Sequence, residues 1–171
     1  MKILVLGYGR HGKDTVCDIL KEKFGLDFQS SSEFCAKLFI YDELKDKYGY
    51  KSYQECYTDR HNHRAEWFDM IHDYCKDDLA RLGRNIFNAH DIYCGLRNKD
   101  EMAAVKAEGV YDYSIWVDRS QHLPPEDGSS MNITKDMADF VIDNNGTLAD
   151  LETQVEDLML DLLTVQGIVW R

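Results

Sequence analysis

The chain has 171 residues, 44% of them hydrophobic, and a formal net charge of −11 at pH 7. That length suits a single domain with a real core, and the acidic balance excludes a partner held by polyanion electrostatics, because nucleic-acid binders display a basic field. No stretch approaches the roughly 18–20 apolar residues of a membrane span, and the apolar run after Lys2 is too short for a signal peptide. The expectation is a soluble, cytoplasmic protein that engages neither a membrane nor a nucleic-acid polymer. Cys17, Cys35, Cys56, Cys75 and Cys94 stand singly with no CxxC pair, which reads as reduced thiols buried as small hydrophobes.

In chain order, "KILVL" (2–6) is a continuous apolar run closed by glycine, the pattern of a strand buried on both faces. From Lys13 to Phe24, Val16, Cys17, Ile19, Leu20 and Phe24 fall at helical spacing, and Gly25 supplies the stop. After a short second strand, Ser30 and Glu33 stand in capping-box register at the head of a helix in "SSSEFCAKLF", and Ser52 with Glu55 repeats the device. Trp67, Ile71, Tyr74, Cys75 and Leu82 predict one long amphipathic helix from about Arg64 to Leu82, with Trp67 in the core and Asp77 and Asp78 on a solvated face. "DIYCGL" reads as a strand, and Asn98 with Glu101 caps a helix that Gly109 ends. "YSIWVD" is the next strand, followed by the polar loop "RSQHLPPEDGSS", which holds both prolines. "ADFVIDNNG" gives a last strand and turn, and Thr147 opens a final helix carrying Leu148, Leu151, Val155, Leu158, Met159 and Leu162. Buried strands separated by helices imply a three-layer α/β/α domain around a parallel sheet of about five strands. In such sheets ligands sit beyond the carboxyl ends of the strands.

The carboxyl end of the first strand is "LGYGRHGKDTV". Gly7, Gly12 and Lys13 match the phosphate-binding loop pattern between a strand and a helix. Glycines let successive N–H groups turn toward phosphate oxygens, the helix N-terminus adds its positive end, and Lys13 reaches the β- and γ-phosphates. Gly9, Arg10 and His11 shape the same loop, with His11 placed either at the ligand's edge or in solvent. Asp14 stands where serine or threonine usually coordinates Mg²⁺, and Thr15 offers a hydroxyl one residue along. Both remain candidates for the metal.

"GYGRHGKDT" resembles the loop of phage-type deoxynucleoside monophosphate kinases, within the P-loop group of nucleoside monophosphate and dephospho-coenzyme A kinases. "CGLRNKDE" is similar to a strand-end arginine followed by an acidic residue in these enzymes, and "ADFVIDNNGTLADLE" to their last strand, asparagine turn and closing helix. Residues 34–88 carry no such similarity. Gly95 departs from the pattern, standing where many P-loop proteins place a strand-end aspartate. The resemblance implies a P-loop NTPase fold with a core at about 1–33 and 89–171, a helical acceptor-binding insertion at about 34–88, and a lid at about 118–134. It also implies ATP and Mg²⁺, small-molecule nucleotide substrates, and the host cytoplasm for a phage-encoded chain. A homodimer is compatible with it.

Phosphoryl transfer asks the protein to align phosphates, shield their charge and exclude water. Lys13 serves the donor. Arg97, directly after a strand, suits bidentate binding of an acceptor phosphate, or else pairs with Asp100 or Glu101 on the surface. Arg119 opens the polar loop and either closes over the transferring phosphate or belongs to a solvated connection. Tyr57, Arg60 and Arg64 recur at helical spacing, so one face would offer a ring and two guanidinium groups to an acceptor nucleotide. Ser32 would touch the acceptor, with a plain N-cap as the alternative for it and Ser31. Asn145, with Asn144, stands where these kinases contact the donor adenine, or else forms an asparagine-glycine turn. His61, His63, His72 and Cys75 fit no common zinc spacing. A dephospho-coenzyme A or other metabolite kinase, and a non-kinase nucleotide switch, are the alternatives.

Overall fold

The computed structural model describes residues 1–128, 131–165 and 167. Ser129 and Ser130 of the expected 118–134 loop lie outside the described residues, as do Gln166 and residues 168–171. The strands are β1 (Ile3–Leu6), β2 (Phe28–Ser30), β3 (Ile92–Cys94), β4 (Tyr113–Asp118) and β5 (Phe140–Asp143). They form one parallel sheet in the order β2-β3-β1-β4-β5. The chain leaves β1 for the edge, returns to β3 beside β1, then crosses to β4 and β5. The order therefore reverses about β1, the position at which open α/β sheets bind ligands.

Alternation along the strands feeds two cores. Leu4, Leu6, Tyr93 and Trp116 face one side, and Ile3, Val5, Ile92, Cys94, Ile115 and Val117 the other. The second side is covered by α1 (Lys13–Phe24), whose C-cap Gly25 adopts φ +69°, and by α8 (Leu148–Val165). Thr147 caps α8, its hydroxyl accepting from the Asp150 N–H at 3.2 Å while the Asp150 carboxylate accepts from the Thr147 N–H at 2.8 Å. All five cysteines are buried free thiols, three in the first core and two in the second. Among the described residues no helix is long and apolar enough to cross a membrane.

The first side is covered by the helices between β2 and β3 and by α7 (Lys99–Ala107). α2 (Ser31–Cys35) passes through a π-helical stretch, Ala36–Ile40, into α3 (Tyr41–Tyr48), so one continuous rod runs to Gly49. α4 (Tyr53–Asp59) starts on Ser52, whose hydroxyl accepts from the Glu55 N–H at 3.2 Å. The single helix expected from Arg64 to Leu82 is two: α5 (Arg64–Cys75) and α6 (Arg81–Ala89). Asp78 makes the break. Its carboxylate accepts from the Ala80 N–H at 3.2 Å and pairs with Arg84, and its carbonyl accepts from the Arg81 N–H at 3.0 Å. This side-chain turn competes with the helix ladder, so Asp78 is a structural stop between two helices, with its carboxylate still partly exposed.

Candidate functional site

The loop after β1 is shaped by residues that close on its glycines. Gly7 adopts φ +145°, and a Cβ there would lie 2.7 Å from the Val117 carbonyl oxygen. At Gly12, φ is +96° and a Cβ would collide with Asn144 Nδ2. Asn144 is buried at the end of β5 and donates to the His11 carbonyl at 2.9 Å. Arg10 also takes a positive φ, +63°, with its side chain exposed. His11 does not stand in solvent. It is fully buried, and its Nδ1 accepts from the Arg119 N–H at 3.0 Å. That bond leaves the ring proton on Nε2, and burial pulls the pKa below the ordinary histidine value.

Lys13 opens α1 and donates from Nζ to the Tyr8 carbonyl at 2.7 Å. Burial lowers its pKa, with nearby Arg97 acting in the same direction. Asp14 and Thr15 follow in the first turn, and the Cys94 thiol at the end of β3 donates to Asp14 Oδ1 at 3.6 Å. Among the described residues no three His, Cys, Asp or Glu side chains gather as a ready-made metal site. A Mg²⁺ carried on phosphates needs only one or two protein oxygens, and the Asp14 carboxylate beside Lys13 fits that requirement.

Glu126, which the sequence pattern gives no reason to select, lies across the loop. Its Oε2 accepts from the Gly9 N–H at 2.8 Å, and its two oxygens accept from Arg97 Nη1 at 3.1 and 2.9 Å. Burial would raise the Glu126 pKa, but Arg97, the Gly9 amide and Lys13 outweigh it and hold the carboxylate below its ordinary value. Arg97 thus pairs with Glu126, not with Asp100 or Glu101 as the surface alternative had it. Asn145 clasps the start of the polar loop: its Oδ1 accepts from the Gln121 N–H at 3.0 Å, and its Nδ2 donates to Asp143 Oδ1 at 2.5 Å and to the Asp118 carbonyl at 3.3 Å. Arg119 meets the loop through its backbone, at His11.

Beside the loop opens a cleft of about 530 Å³. Ser31, Ser32, Gly95 and Arg97 line it near the loop, and Arg60, Arg64, Trp67, Phe68, His72 and Glu101 are also in its walls. Ser30, not Ser31 or Ser32, is the cap of α2, accepting from the Glu33 N–H at 3.2 Å. Ser31 Oγ instead donates to the Gly95 carbonyl at 3.4 Å. The single face expected for Tyr57, Arg60 and Arg64 does not form. Asp59 collects Tyr50, Asn62 and His63, and Arg60–Asn62 becomes a 3₁₀ turn. The Arg60 guanidinium then lies 3.8 Å from the Tyr57 ring centre and donates to the Tyr57 carbonyl, and Tyr57 stands outside the cleft lining. Arg119 stands outside it as well. Glu101 keeps its N-terminal place on α7, its N–H donating to Asn98 Oδ1 at 3.2 Å, while burial in the cleft wall pushes its carboxyl pKa up to about 7.

The five-stranded parallel fold recurs in solved structures. A shikimate kinase of Aquifex aeolicus matches with a TM-score of 0.54 at 12% identity over 97% of this chain and 98% of its own. The chain has the P-loop kinase fold. A shikimate kinase of Bacteroides thetaiotaomicron gives a TM-score of 0.50 at 11% identity, over 95% of this chain and 98% of that one. No protein-family model matches the sequence, and no curated protein does. At these identities the likeness speaks for the fold of the P-loop domain.

Proposed function

We propose that the protein is a phosphotransferase that moves the γ-phosphate of ATP to a (deoxy)nucleoside monophosphate, giving the diphosphate. The observation that carries this reading is the cleft beside the loop, where Arg60, Arg64 and Arg97 stand with Trp67, Phe68 and His72. Planar guanidinium groups fit phosphate oxygens and aromatic rings fit the face of a base. In the transfer, the bond from the γ-phosphorus to the β–γ bridging oxygen breaks and one to an acceptor phosphate oxygen forms, leaving ADP. Lys13 would exchange the Tyr8 carbonyl for donor phosphate oxygens, the loop amides would hold the β-phosphate, and Arg97 would orient the acceptor. Asp14 and Thr15 would hold the Mg²⁺, which when bound shields phosphate charge. Arg119, on the loop over the site, would be carried toward the transferring phosphate as that loop closes.

One feature favours a second reading. Glu101 places a carboxyl with a pKa near neutrality in the same cleft, and such a group suits removal of a proton from an acceptor hydroxyl. A nucleoside monophosphate needs no such base, whereas the alcohol of a phosphorylated metabolite does. An ADP-release assay with ATP and Mg²⁺ separates them. Stimulation by one or a few of the deoxy- or ribonucleoside monophosphates supports the first reading. Stimulation by dephospho-coenzyme A or a sugar alcohol alone supports the second. Tight ATP binding with no stimulation by any acceptor overturns both in favour of a nucleotide switch.

A further inference from the structure

We propose that Glu126 is a positioning residue that couples the two substrates, bridging the donor loop and the acceptor cleft until a phosphate in the loop displaces it. This rests on the kinase reading of the same site. One carboxylate serves both partners: the Gly9 amide at 2.8 Å and Arg97 Nη1 at 2.9 and 3.1 Å. The Gly9 amide belongs to the loop that would receive donor phosphate, and Arg97 lines the acceptor cleft. A carboxylate and a phosphate are both anionic acceptors for the same N–H, so Glu126 and a phosphate oxygen at Gly9 exclude each other. The approach is close: a Cβ at Gly9 would stand 3.2 Å from Glu126 Oε1.

The side chains of Arg97 and Glu126 are 43% and 19% exposed, and a pair that open to solvent adds little to stability. Its effect belongs instead to binding. When donor phosphate takes the Gly9 amide, Arg97 loses the Glu126 countercharge and attracts an acceptor phosphate more strongly. By linkage, an acceptor phosphate on Arg97 loosens Glu126 and raises the affinity of the loop for nucleotide by the same factor. Each substrate therefore favours the other through the release of Glu126.

The test titrates the four deoxynucleoside monophosphates calorimetrically, with and without the Mg²⁺ complex of an ATP analogue bearing an imido β–γ bridge. In the unmodified protein the analogue should raise monophosphate affinity about tenfold, within the range of coupled sites. In Glu126→Gln the monophosphate should bind without analogue to within about twofold of the ternary value, and the analogue alone should bind several-fold tighter. Steady-state kinetics of the same variant should show a lower acceptor KM and a loss of its dependence on ATP concentration, which a merely structural role would not produce. Glu126→Asp, which keeps the charge, should retain part of the coupling. Independent binding of the two ligands in the unmodified protein, or undiminished coupling in Glu126→Gln, overturns the proposal. An unmodified protein that binds no analogue at all overturns the kinase reading and this inference with it.

Discussion

The two halves of the site are built in opposite ways. The loop after β1 is held by buried groups: the Val117 carbonyl closes on Gly7 and the Asn144 side chain, bonded to the His11 carbonyl, closes on Gly12, at distances that leave no room for a side chain. The cleft wall carries long charged side chains, such as Arg97 paired with the Glu126 carboxylate and Arg60 laid on the Tyr57 ring. The first half tolerates few residue types and little movement. The second can exchange partners at small cost, which suits a wall that must receive a ligand.

The difference can be broken or sharpened by substitution. The largest effect is expected at Lys13→Ala, which should lower turnover about a hundred- to a thousandfold while circular dichroism and the thermal midpoint remain close to the unmodified protein. Next comes Glu101. Its folded pKa, about 7, is raised by burial above its ordinary 4.5, so between those values the native state binds more protons than the unfolded chain and stability falls as pH rises. Glu101→Gln should abolish that slope and gain up to about 3 kcal/mol above pH 7, as read by urea unfolding across the window.

Gly12→Ala should cost about 1–3 kcal/mol through its left-handed backbone, and more through contact with Asn144. Gly25→Ala, at φ +69° with nothing within 4 Å, should cost only the backbone component, about 1–2 kcal/mol. Equal losses at the two glycines would show that the Asn144 contact is unimportant. Arg97→Ala should raise acceptor KM or lower kcat at least about tenfold, roughly 1.4 kcal/mol. The smallest effect belongs to Tyr57→Phe, which should shift acceptor KM less than about twofold, because Arg60 already covers the ring. A larger shift would return Tyr57 to the acceptor wall.

The same contrast explains what could be read from sequence. The loop announces itself because a backbone that must curl and approach Val117 and Asn144 admits only glycine at Gly7 and Gly12, and a positive reach into it admits Lys13. The parallel sheet was legible for a similar reason, since strands buried on both faces are continuous apolar runs. Tyr57, Arg60 and Arg64 misled because their spacing is helical while Asp59 diverts the chain into a 3₁₀ turn through three partners distant or local in sequence. The break at Asp78 was hidden likewise, in a carboxylate that caps a turn. Glu126 left no signal, because an acidic residue after Pro124 and Pro125 resembles any solvated loop until the fold lays it against Gly9. His11 reads from sequence as either ligand-edge or solvent-facing, and only the fold shows the burial that Arg119 and Asn144 bring.

The contact between the His11 carbonyl and Asn144 joins residues 133 positions apart. A growing chain therefore displays the whole glycine loop long before the strands that shape it have been synthesised, and non-local pairings of this kind form late in folding. β1 itself has no partner until β3 and β4 arrive. The shape of the loop is thus a property of the finished sheet and not of the motif, and on the kinase reading nucleotide captured by the loop would mark a chain that has folded through to β5.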